Sequence, residues 1–477
     1  MAKPMREVTV IGGGFAGAEA AWQLANAGIP VRLAEMKPQK RSPAHQMDTL
    51  AEPVCSNSFK ALRVSSAAGL LKAEMEMLGS LCVPCAKATS VPAGGALAVN
   101  RAEFSALVTQ RIEAHPLITV EHREVTALPQ DGVVIVAAGP LASEALSREL
   151  LQITGGALAF YDAAAPIVTA DSIDLHSAFP QSRYDRGGED DYINCPMNKE
   201  EYEAFHAALC TAERAELHSF ESENPKDFPG KKEVYEGCMP IEVLALRGAD
   251  TVRYGPMKPV GLRDPHTGHR PWAVLQLRKE NAQGTLYNLV GFQTNLKFAE
   301  QKRVFGMIPA LRNAEFVRYG VMHRNTYIDS PRLLNAQFQL RSNPNLFFAG
   351  QITGVEGYME SAASGLLAGM NAARRLLGEP PYLPPAETIC GALARYVSDE
   401  SVRDFQPMGA NFGILPPLPQ KIRGKQERYE ALAKVALMRL AEDTPMQTVS
   451  DAEVSAISQR LMAQNKEAYE ALAKGEA

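Results

Sequence analysis

The segment near the N-terminus constrains the fold most strongly, because three local patterns follow one another there without a gap. Residues 7–11 (EVTVI) are apolar and β-branched, and residues 12–17 (GGGFAG) are dominated by glycine. Residues 18–28 (AEAAWQLANAG) have helical spacing and end in glycine, and residues 30–36 (PVRLAEM) read as a second strand. The segment therefore predicts a β-α-β unit.

The glycine spacing inside this unit predicts a dinucleotide site. The motif is Gly12-x-Gly14-x-x-Gly17, and Glu35 ends the second strand. Glycines allow a tight turn and a close approach of the backbone to a pyrophosphate, the helix N-terminus offers N–H groups, and the acid suits a ribose hydroxyl. The predicted cofactor contacts in this unit are Gly12, Gly13, Gly14, Phe15, Ala16, Gly17 and Glu35.

Two later segments are predicted to join the same sheet. Residues 133–139 (VVIVAAG) form an apolar strand that ends in glycine, and residues 345–358 (NLFFAGQITGVEGY) form a strand followed by a glycine-rich loop. A returning strand and glycine loop are common in proteins that hold FAD. A second fingerprint for a stably bound nicotinamide nucleotide is missing, so NAD(P)H is expected only as a transient reductant. The further predicted FAD contacts are Gly139, Gly350, Gln351, Gly354 and Gly357.

The chain length and the order of these segments predict an inserted domain. A chain of 477 residues is too long for one ordinary core. We expect an α/β fold in which a Rossmann-like FAD-binding domain carries an inserted α+β domain. The predicted parts are residues 1–155 and 326–385 for the FAD-binding domain, 156–325 for the insert, and 386–477 for a C-terminal helical segment.

Composition narrows the class of protein. The 46% hydrophobic and 22% charged residues are ordinary for globular proteins, and no run of about 18 apolar residues indicates a membrane span. The chain enters a strand almost at once, which leaves no room for a signal peptide. Seven cysteines, an odd number in a large chain, suit a reducing cytoplasm. Neither a membrane nor an obligate protein partner is expected.

A local basic stretch lies within this acidic chain. The net charge is −5, but residues 246–279 contain seven Lys or Arg against two Asp. Clustered cations neutralise phosphates, and Tyr254, Trp272 and His266 could stack on an unpaired base. A solvated charged face is the alternative explanation. The cations predicted to contact RNA or folate are Arg247, Arg253, Lys258 and Arg263.

Several longer motifs make the chain resemble a known family. They are GGGFAGAEAAWQL, PAHQMDTLAEPVCSNSFK, VPAGGALAVNR, YEGCMPIEVLALRG, GPMKPVGL, VMHRNTYI and GQITGVEGYMESAASG, in this order over about residues 6–440. The chain is similar to the bacterial folate- and flavin-dependent tRNA (uracil-5-)-methyltransferases of the TrmFO type. Pro53 and the pair Cys82-x-x-Cys85 stand outside the shared pattern.

The resemblance implies a reaction with defined components. The one-carbon unit of 5,10-methylenetetrahydrofolate would be transferred to carbon 5 of a T-loop uridine in tRNA. FADH2, regenerated by NAD(P)H, would reduce the unit to a methyl group, giving 5-methyluridine. The implied partner is tRNA, and no DNA partner is expected.

The resemblance also implies two functional thiols. Carbon 5 of uracil is a poor nucleophile, and addition of a thiolate to carbon 6 makes it reactive. Cys238 precedes the basic stretch and is preferred as the uracil nucleophile, whereas Cys55 lies among polar residues and is preferred as the thiol on the flavin side. Which thiol plays which role stays open at this point. Cys82 and Cys85 are better explained as core thiols, since one CxxC cannot complete a zinc site.

The segment VMHRNTYI supplies a further candidate contact with folate or flavin, through His323, Arg324 and Asn325.

There are three rival functions. One is the longer flavin- and folate-dependent enzyme that modifies the wobble uridine of tRNA. The second is a plain NAD(P)H-flavin oxidoreductase, which would require a second dinucleotide fold or a redox disulfide near the first motif. The third is a non-catalytic flavoprotein that binds RNA, which leaves the two thiols without a task.

Overall fold

The computed structural model describes residues 7–42, 44–155, 158–163, 165–185, 188, 191–215, 239–281, 283–320, 322–403 and 405–443. The strands are β1 (Val8–Ile11), β2 (Val31–Glu35), β3 (Ser58–Ala61), β4 (Ser90–Val91), β5 (Ala96–Val99), β6 (Ile118–His122), β7 (Val133–Val136), β8 (Leu158–Ala163), β9 (Ile167–Thr169), β10 (Phe179–Pro180), β11 (Tyr192–Met197), β12 (Ala273–Lys279), β13 (Leu286–Leu289), β14 (Phe316–Arg318), β15 (Met322–Tyr327), β16 (Gln339–Leu340) and β17 (Asn343–Phe348). The α-helices are α1 (Phe15–Asn26), α2 (Ala67–Met77), α3 (Cys82–Ala88), α4 (Arg101–Glu113), α5 (Glu144–Thr154), α6 (Lys199–Thr211), α7 (Ile241–Ala245), α8 (Thr251–Tyr254), α9 (Phe298–Phe305), α10 (Ser330–Leu333), α11 (Tyr358–Leu377), α12 (Ile389–Tyr396) and α13 (Lys425–Asp443).

The first sheet has the order β16-β17-β7-β1-β2-β6. All its pairs are parallel except β16 with β17. β1 and β7 are buried along their whole length, because parallel strands covered by helices on both faces become continuous apolar runs. The prediction that β1, β7 and β17 share one sheet is confirmed, and so is the predicted α/β class.

Helices α1 and α11 pack closely against each other on this sheet. A methyl group added at Gly365 would lie 2.0 Å from the carbonyl oxygen of Ala16, and one added at Gly369 would lie 2.6 Å from that of Ala20. The two backbones therefore approach at positions where only glycine leaves enough room. This contact fixes the N-terminus of α11 beside the N-terminus of α1, which places both glycine-rich turns at one end of the sheet.

The second sheet is antiparallel and has the order β10-β11-β12-β13-β9-β14, built from residues 167–318. The chain leaves the first sheet after β7 and re-enters it at β16, and β8 pairs with β15 as a separate antiparallel ribbon between these points. Helices α6, α7 and α9 bury apolar residues against the second sheet, giving it a core of its own. The domain boundaries given above remain predictions.

The C-terminal described helices cover the first unit. The core of the first sheet extends to Leu393 in α12 and to Ala436 and Leu440 in α13. Helix α6 ends at Thr211, and the structure also contains a small sheet β3-β5-β4 that the sequence patterns do not predict. Within the described residues, no helix is both long enough and apolar enough to cross a bilayer.

The close contact of α1 and α11 leads to a test of stability. Gly365→Ala should lower the free energy of unfolding by about 1–3 kcal/mol, because the new methyl group meets backbone that cannot move independently. Urea unfolding followed by circular dichroism measures the change. Gly95→Ala is the control, since a methyl group there meets no atom within 4 Å and should change the stability by less than about 0.5 kcal/mol. Equal stabilities of the two variants would contradict this account of the packing.

Candidate active site

A cleft of about 1060 Å³ lies at the end of the first sheet where the glycine-rich turns meet. Its lining joins residues that are far apart in sequence. Among the predicted cofactor contacts, the lining includes Gly12, Gly14, Phe15, Ala16, Glu35, Gly139, Gly350 and Gln351.

The first turn has the geometry of a pyrophosphate cradle. Gly12 has φ of +102°, and a methyl group there would lie 2.5 Å from the carbonyl oxygen of Ala137. A methyl group at Gly17 would lie 1.8 Å from the carbonyl oxygen of Gly12, so these two glycines serve the strand–helix crossing. Gly14 faces open space, and no side chain caps the first turn of α1. The N–H groups of this turn are therefore available to an anion.

Glu35 lies beneath this turn at the end of β2. Its carboxylate accepts hydrogen bonds from the N–H of Gly13 at 2.7 Å and from the N–H of Lys37 at 2.9 Å. Only 6% of Glu35 is exposed, and it lines the cleft. These backbone bonds fix the carboxylate where a ribose hydroxyl of a bound dinucleotide would reach it. The residues of the cleft thus fit FAD.

The second glycine-rich loop closes the other side of the cleft. Gly350 (φ +86°) donates its N–H to the Ser364 hydroxyl at 2.7 Å, which ties the loop to α11. Gly354 lies against the ring of Phe405, and Gly357 precedes α11 with φ of +122°. Gly354 and Gly357 therefore shape the loop, while Gly350 lines the cleft.

Cys55 lies at the edge of this cleft, on the loop that leads into β3. Val54 and Tyr358 line the cleft, and the Tyr358 hydroxyl accepts hydrogen bonds from the N–H groups of Cys55 and Ser56. Burial raises the pKa of Tyr358, so its phenol stays neutral. The Tyr358 ring stacks on Phe15 with 4.8 Å between ring centroids. The first residue of α11 thereby connects the thiol loop to the pyrophosphate turn.

Two residues of the second sheet hold the same loop from the other side. The Arg278 guanidinium on β12 donates to Asn57 Oδ1 at 2.7 Å and to the Ser56 hydroxyl at 3.0 Å. Asn57 in turn donates its amide to the carbonyl of Lys279 at 3.0 Å. Arg318 on β14 donates to the carbonyl of Val54. The position of the Cys55 loop therefore depends on both sheets.

A buried ion pair completes this junction. Arg101, at the start of α4, pairs with Glu280 at 2.6 Å and also donates to the carbonyl of Pro53. Burial lowers the pKa of Arg278 and of Arg318; for Arg101, burial opposes the charge, but Glu280 outweighs it and the pKa is raised. Three guanidinium groups thus face one carboxylate around the loop. An arginine remains charged even when buried, so the junction carries excess positive charge.

The remaining predicted site residues have different placements. Cys238 lies outside the described residues. His323, Arg324 and Asn325 lie on β15, opposite Asp162, Tyr161 and Phe160 of β8, and their side chains fall outside the description. Arg247, Lys258 and Arg263 are exposed on the segment between α7 and β12. Cys82 and Cys85 are fully buried in α3, where burial raises the pKa of both thiols.

Arg253 is engaged within the protein rather than extended into solvent. Its guanidinium lies 3.8 Å from the ring centroid of Trp272 and 4.9 Å from that of Tyr254, and its Nε donates to the carbonyl of Trp272 at 2.9 Å. Tyr254 is 65% exposed, whereas Trp272 is covered by Arg253. Of the residues predicted to stack on a base, Tyr254 and His266 are therefore exposed, whereas Trp272 is covered.

Sequence patterns did not single out several residues of the junction. Arg318 and Glu280 lie in none of the quoted motifs, and Arg101 ends the quoted motif VPAGGALAVNR without being predicted as a site residue. They become candidates because Arg101 and Arg318 donate hydrogen bonds to the Cys55 loop and Glu280 pairs with Arg101. Asn57 and Tyr358 do lie within quoted motifs, CSNSFK and GQITGVEGY. The polar residues beside Cys55 were the available signal in the sequence. They indicated that the segment around Cys55 is functional, but they did not indicate which side chains contact it.

Comparison with known proteins agrees with this geometry. The model of the family described as "Glucose inhibited division protein A" (GIDA) matches residues 7–380. A Moorella thermoacetica protein named methylenetetrahydrofolate–tRNA-(uracil-5-)-methyltransferase TrmFO is 58% identical over 432 residues, which cover 90% of this chain and 97% of that protein. An Acetivibrio thermocellus protein of the same name is 57% identical over 436 residues, covering 91% and 98%. The chain belongs to the TrmFO family.

A solved structure supports the fold of this TrmFO family member. The form I crystal structure of Aquifex aeolicus GidA matches 95% of the chain with a TM-score of 0.66 and 17% sequence identity. At this identity the likeness concerns the fold alone. The match covers 78% of the GidA chain, so that protein contains additional parts.

The junction leads to a test of how the Cys55 loop is held. Arg278→Lys keeps the charge but loses the forked contact with Ser56 and Asn57. Hydrogen bonds to charged groups contribute about 1.5–3 kcal/mol, so the open population of the loop should rise about tenfold or more. The rate of Cys55 alkylation by iodoacetamide, mapped by peptide mass spectrometry, should rise by the same factor.

The control for this test lies on the same face of the inserted region. Arg183 donates to Gln276 at 2.7 Å and to the carbonyl of Val260 at 2.9 Å, away from the thiol loop. Arg183→Lys should leave the alkylation rate of Cys55 unchanged. An unchanged rate in Arg278→Lys as well would show that Arg278 does not hold the loop.

Proposed function

We propose that this chain transfers the one-carbon unit of 5,10-methylenetetrahydrofolate to carbon 5 of a T-loop uridine in tRNA and reduces it to a methyl group. Support comes first from the named relatives, which are 55–58% identical over about nine-tenths of the chain. The structural observation that carries the proposal is the position of Cys55, whose loop meets the FAD cleft through Tyr358. A thiol at a flavin cleft is what a flavin-dependent one-carbon transfer requires.

The proposed chemistry begins with a covalent bond between the Cys238 thiol and the uracil ring. The Cys238 thiolate adds to carbon 6 of uracil, and the π electrons move to the carbonyl oxygen at carbon 4, so carbon 5 becomes nucleophilic. Carbon 5 then forms a bond with the methylene carbon of the folate, and one of the two bonds from that carbon to folate nitrogen breaks. Removal of the carbon 5 proton breaks the second of these bonds, so tetrahydrofolate leaves and an exocyclic methylene remains on a ring that is still bound to Cys238. FAD held in the cleft and reduced by NAD(P)H would supply the hydride that converts the methylene to methyl, and the Cys238 thiolate would leave carbon 6 as the double bond between carbons 5 and 6 forms again.

The chain's own residues position this reaction. Tyr358 and Arg278 fix the Cys55 loop at the cleft, where its thiol can take up or protect the methylene group. Arg101 and Arg318 contribute positive charge near the position where the uracil ring becomes anionic. Gly14 and Glu35 hold the pyrophosphate and a ribose of FAD. We assign the enzyme to the cytoplasm, where tRNA and reduced nicotinamide nucleotides are found.

A labelling experiment tests the function. The purified flavoprotein is incubated with unmodified tRNA, NAD(P)H and methylenetetrahydrofolate labelled in its one-carbon unit, and the label is mapped in the RNA. Label should appear in 5-methyluridine of the T loop. Flavin turnover without label in RNA would reject the proposal. Cys238→Ala should lower transfer by at least about 10³-fold, as expected when a covalent nucleophile is lost.

The absorbance spectrum of FAD provides the control for this variant. Cys238 is not assigned to the cofactor, so Cys238→Ala should retain bound flavin and its reduction by NAD(P)H. A fully active Cys238→Ala enzyme would overturn the nucleophile assignment without overturning the methyltransferase function, since the label would still reach RNA.

A stacked layer on the inserted region supports the tRNA partner. Trp272, Arg253 and Tyr254 form successive contacts, and the outer ring of Tyr254 is exposed. Arg253 and Tyr254 end α8, shortly after Cys238 in the chain, and Trp272 immediately precedes β12. An exposed aromatic ring backed by a guanidinium is a suitable platform for an unpaired base. Tyr254 is therefore proposed to stack on a base near the target uridine.

Substitution of Tyr254 tests this contact. Base stacking contributes about 1–3 kcal/mol, so Tyr254→Ala should raise the KM for tRNA by roughly tenfold. Tyr254→Phe keeps the ring and removes only the hydroxyl that accepts a hydrogen bond from Arg253 at 2.9 Å, so its KM should stay close to wild type. Steady-state kinetics at fixed folate concentration measure both. Equal KM values for the Ala and Phe variants would remove Tyr254 from the interface.

A further inference from the structure

The described C-terminal part carries a second basic surface, formed by residues 421–428. It contains Lys421, Arg423, Lys425 and Arg428 against a single acid, Glu427. All four cations are exposed, and none forms an ion pair with a described residue. Exposed cations elsewhere are commonly paired, as Lys87 is with Glu76 and Arg303 with Glu300. The surface thus presents positive charge that the described protein does not neutralise.

The position of two of these cations is unfavourable for the helix that bears them. Helix α13 begins at Lys425, and its first turn includes Arg428 together with one acid, Glu427. The N-terminus of a helix carries partial positive charge and usually attracts acidic side chains. Cations at this position repel the helix dipole, and a bound anion would relieve the repulsion. Helix stability therefore does not explain their location.

An aromatic cleft adjoins these cations. Phe412 and Tyr429 lie with their ring centroids 4.5 Å apart, and Lys425 and Arg428 approach the Tyr429 ring at 5.7 and 5.5 Å. A cleft of about 1080 Å³ is lined by Phe412, Arg428, Tyr429 and the proline-rich segment 416–419. None of the large apolar side chains between residues 412 and 432 is strongly exposed. The surface therefore lacks the protruding apolar face that would insert into a membrane.

The segment that precedes the basic surface begins beside the second glycine-rich loop and α11. Met408 pairs with Val355, and its carbonyl accepts the N–H of Glu356 at 2.9 Å. The N–H of Ala410 donates to Glu360 at 3.0 Å, two residues after Tyr358 in α11. Eleven residues then lead from Ala410 to Lys421, which span at most about 40 Å. One folded RNA arm can reach from the cleft to the surface.

We propose that residues 421–428 bind the phosphate backbone of the tRNA whose uridine occupies the active site. The inference rests on the proposed function for the identity of the RNA. Lys421 and Arg423 would contact phosphates before α13, and Lys425 and Arg428 would do so at its N-terminus. These contacts are made with the phosphate backbone and do not distinguish one base sequence from another. They therefore position the RNA without contributing to sequence specificity.

Salt-dependent binding tests the surface directly. The variant Arg423→Gln/Lys425→Gln should raise the KM for unmodified tRNA roughly tenfold near 0.15 M salt, with kcat changing less than about twofold. In filter binding, the slope of log affinity against log salt concentration should become shallower by about 2, one for each lost phosphate contact. Matching thermal melting curves of variant and wild type establish that the fold is retained.

The matched control removes two exposed cations from the inserted region. Lys302→Gln/Arg312→Gln changes the net charge equally, and neither residue forms an ion pair with a described residue. This control should retain the wild-type KM and salt slope. Equal KM and slope in both double variants would overturn the inference. The inference would also be overturned if Arg423→Gln/Lys425→Gln lost binding to phosphatidylglycerol vesicles but kept its binding to tRNA. Filter binding does not depend on catalysis, so absence of methyl transfer in wild type would reject the proposed function separately.

Discussion

The site depends most on the hydrogen bonds that Arg278 donates to the loop that carries Cys55. A buried guanidinium from the second sheet donates to Asn57 and Ser56, while Tyr358 from the first unit accepts the N–H groups on the other side of the loop. A buried arginine is costly unless its donors are satisfied, and here the satisfied donors are those that fix the thiol. The same hydrogen bonds therefore stabilise the junction and position the Cys55 thiol.

Charge at the junction follows from this arrangement. Arg101 is compensated by Glu280, but Arg278 and Arg318 are held mainly by neutral oxygen atoms of Asn57, Ser56 and Val54. In a cleft from which water is partly excluded, positive charge interacts more strongly with a nearby negative charge than it does in solvent. The same sign of charge appears at two outer surfaces, one beside Tyr254 and one at residues 421–428. A polyanion bound across the protein would meet positive charge at each of these places.

The strongest predictions came from segments whose pattern is local. Gly12 and Gly17 were predicted from spacing alone, and the structure shows the backbone contacts that exclude any side chain there. Residues 133–139 and 345–358 were predicted to contribute strands to one sheet because each begins with an apolar run that leads into glycine, and β7 and β17 do pair in parallel. The family prediction, made from motifs in order, is confirmed by relatives at 55–58% identity. The predicted role of Cys238 stays a prediction, since it lies outside the described residues.

The sequence alone determined the dinucleotide fold, the family and the identity of the candidate thiols, because glycine spacing and short-range hydrophobic pattern act over neighbouring residues. Only the tertiary structure decided which side chains surround Cys55. Arg101, Arg278 and Arg318 come from a helix and two strands that are spread over more than 200 residues of the chain. A local sequence pattern therefore cannot predict that their side chains meet at the Cys55 loop. Their convergence depends on how the second sheet packs against the loop of the first unit, which is set by the sum of many weak contacts rather than by any one segment.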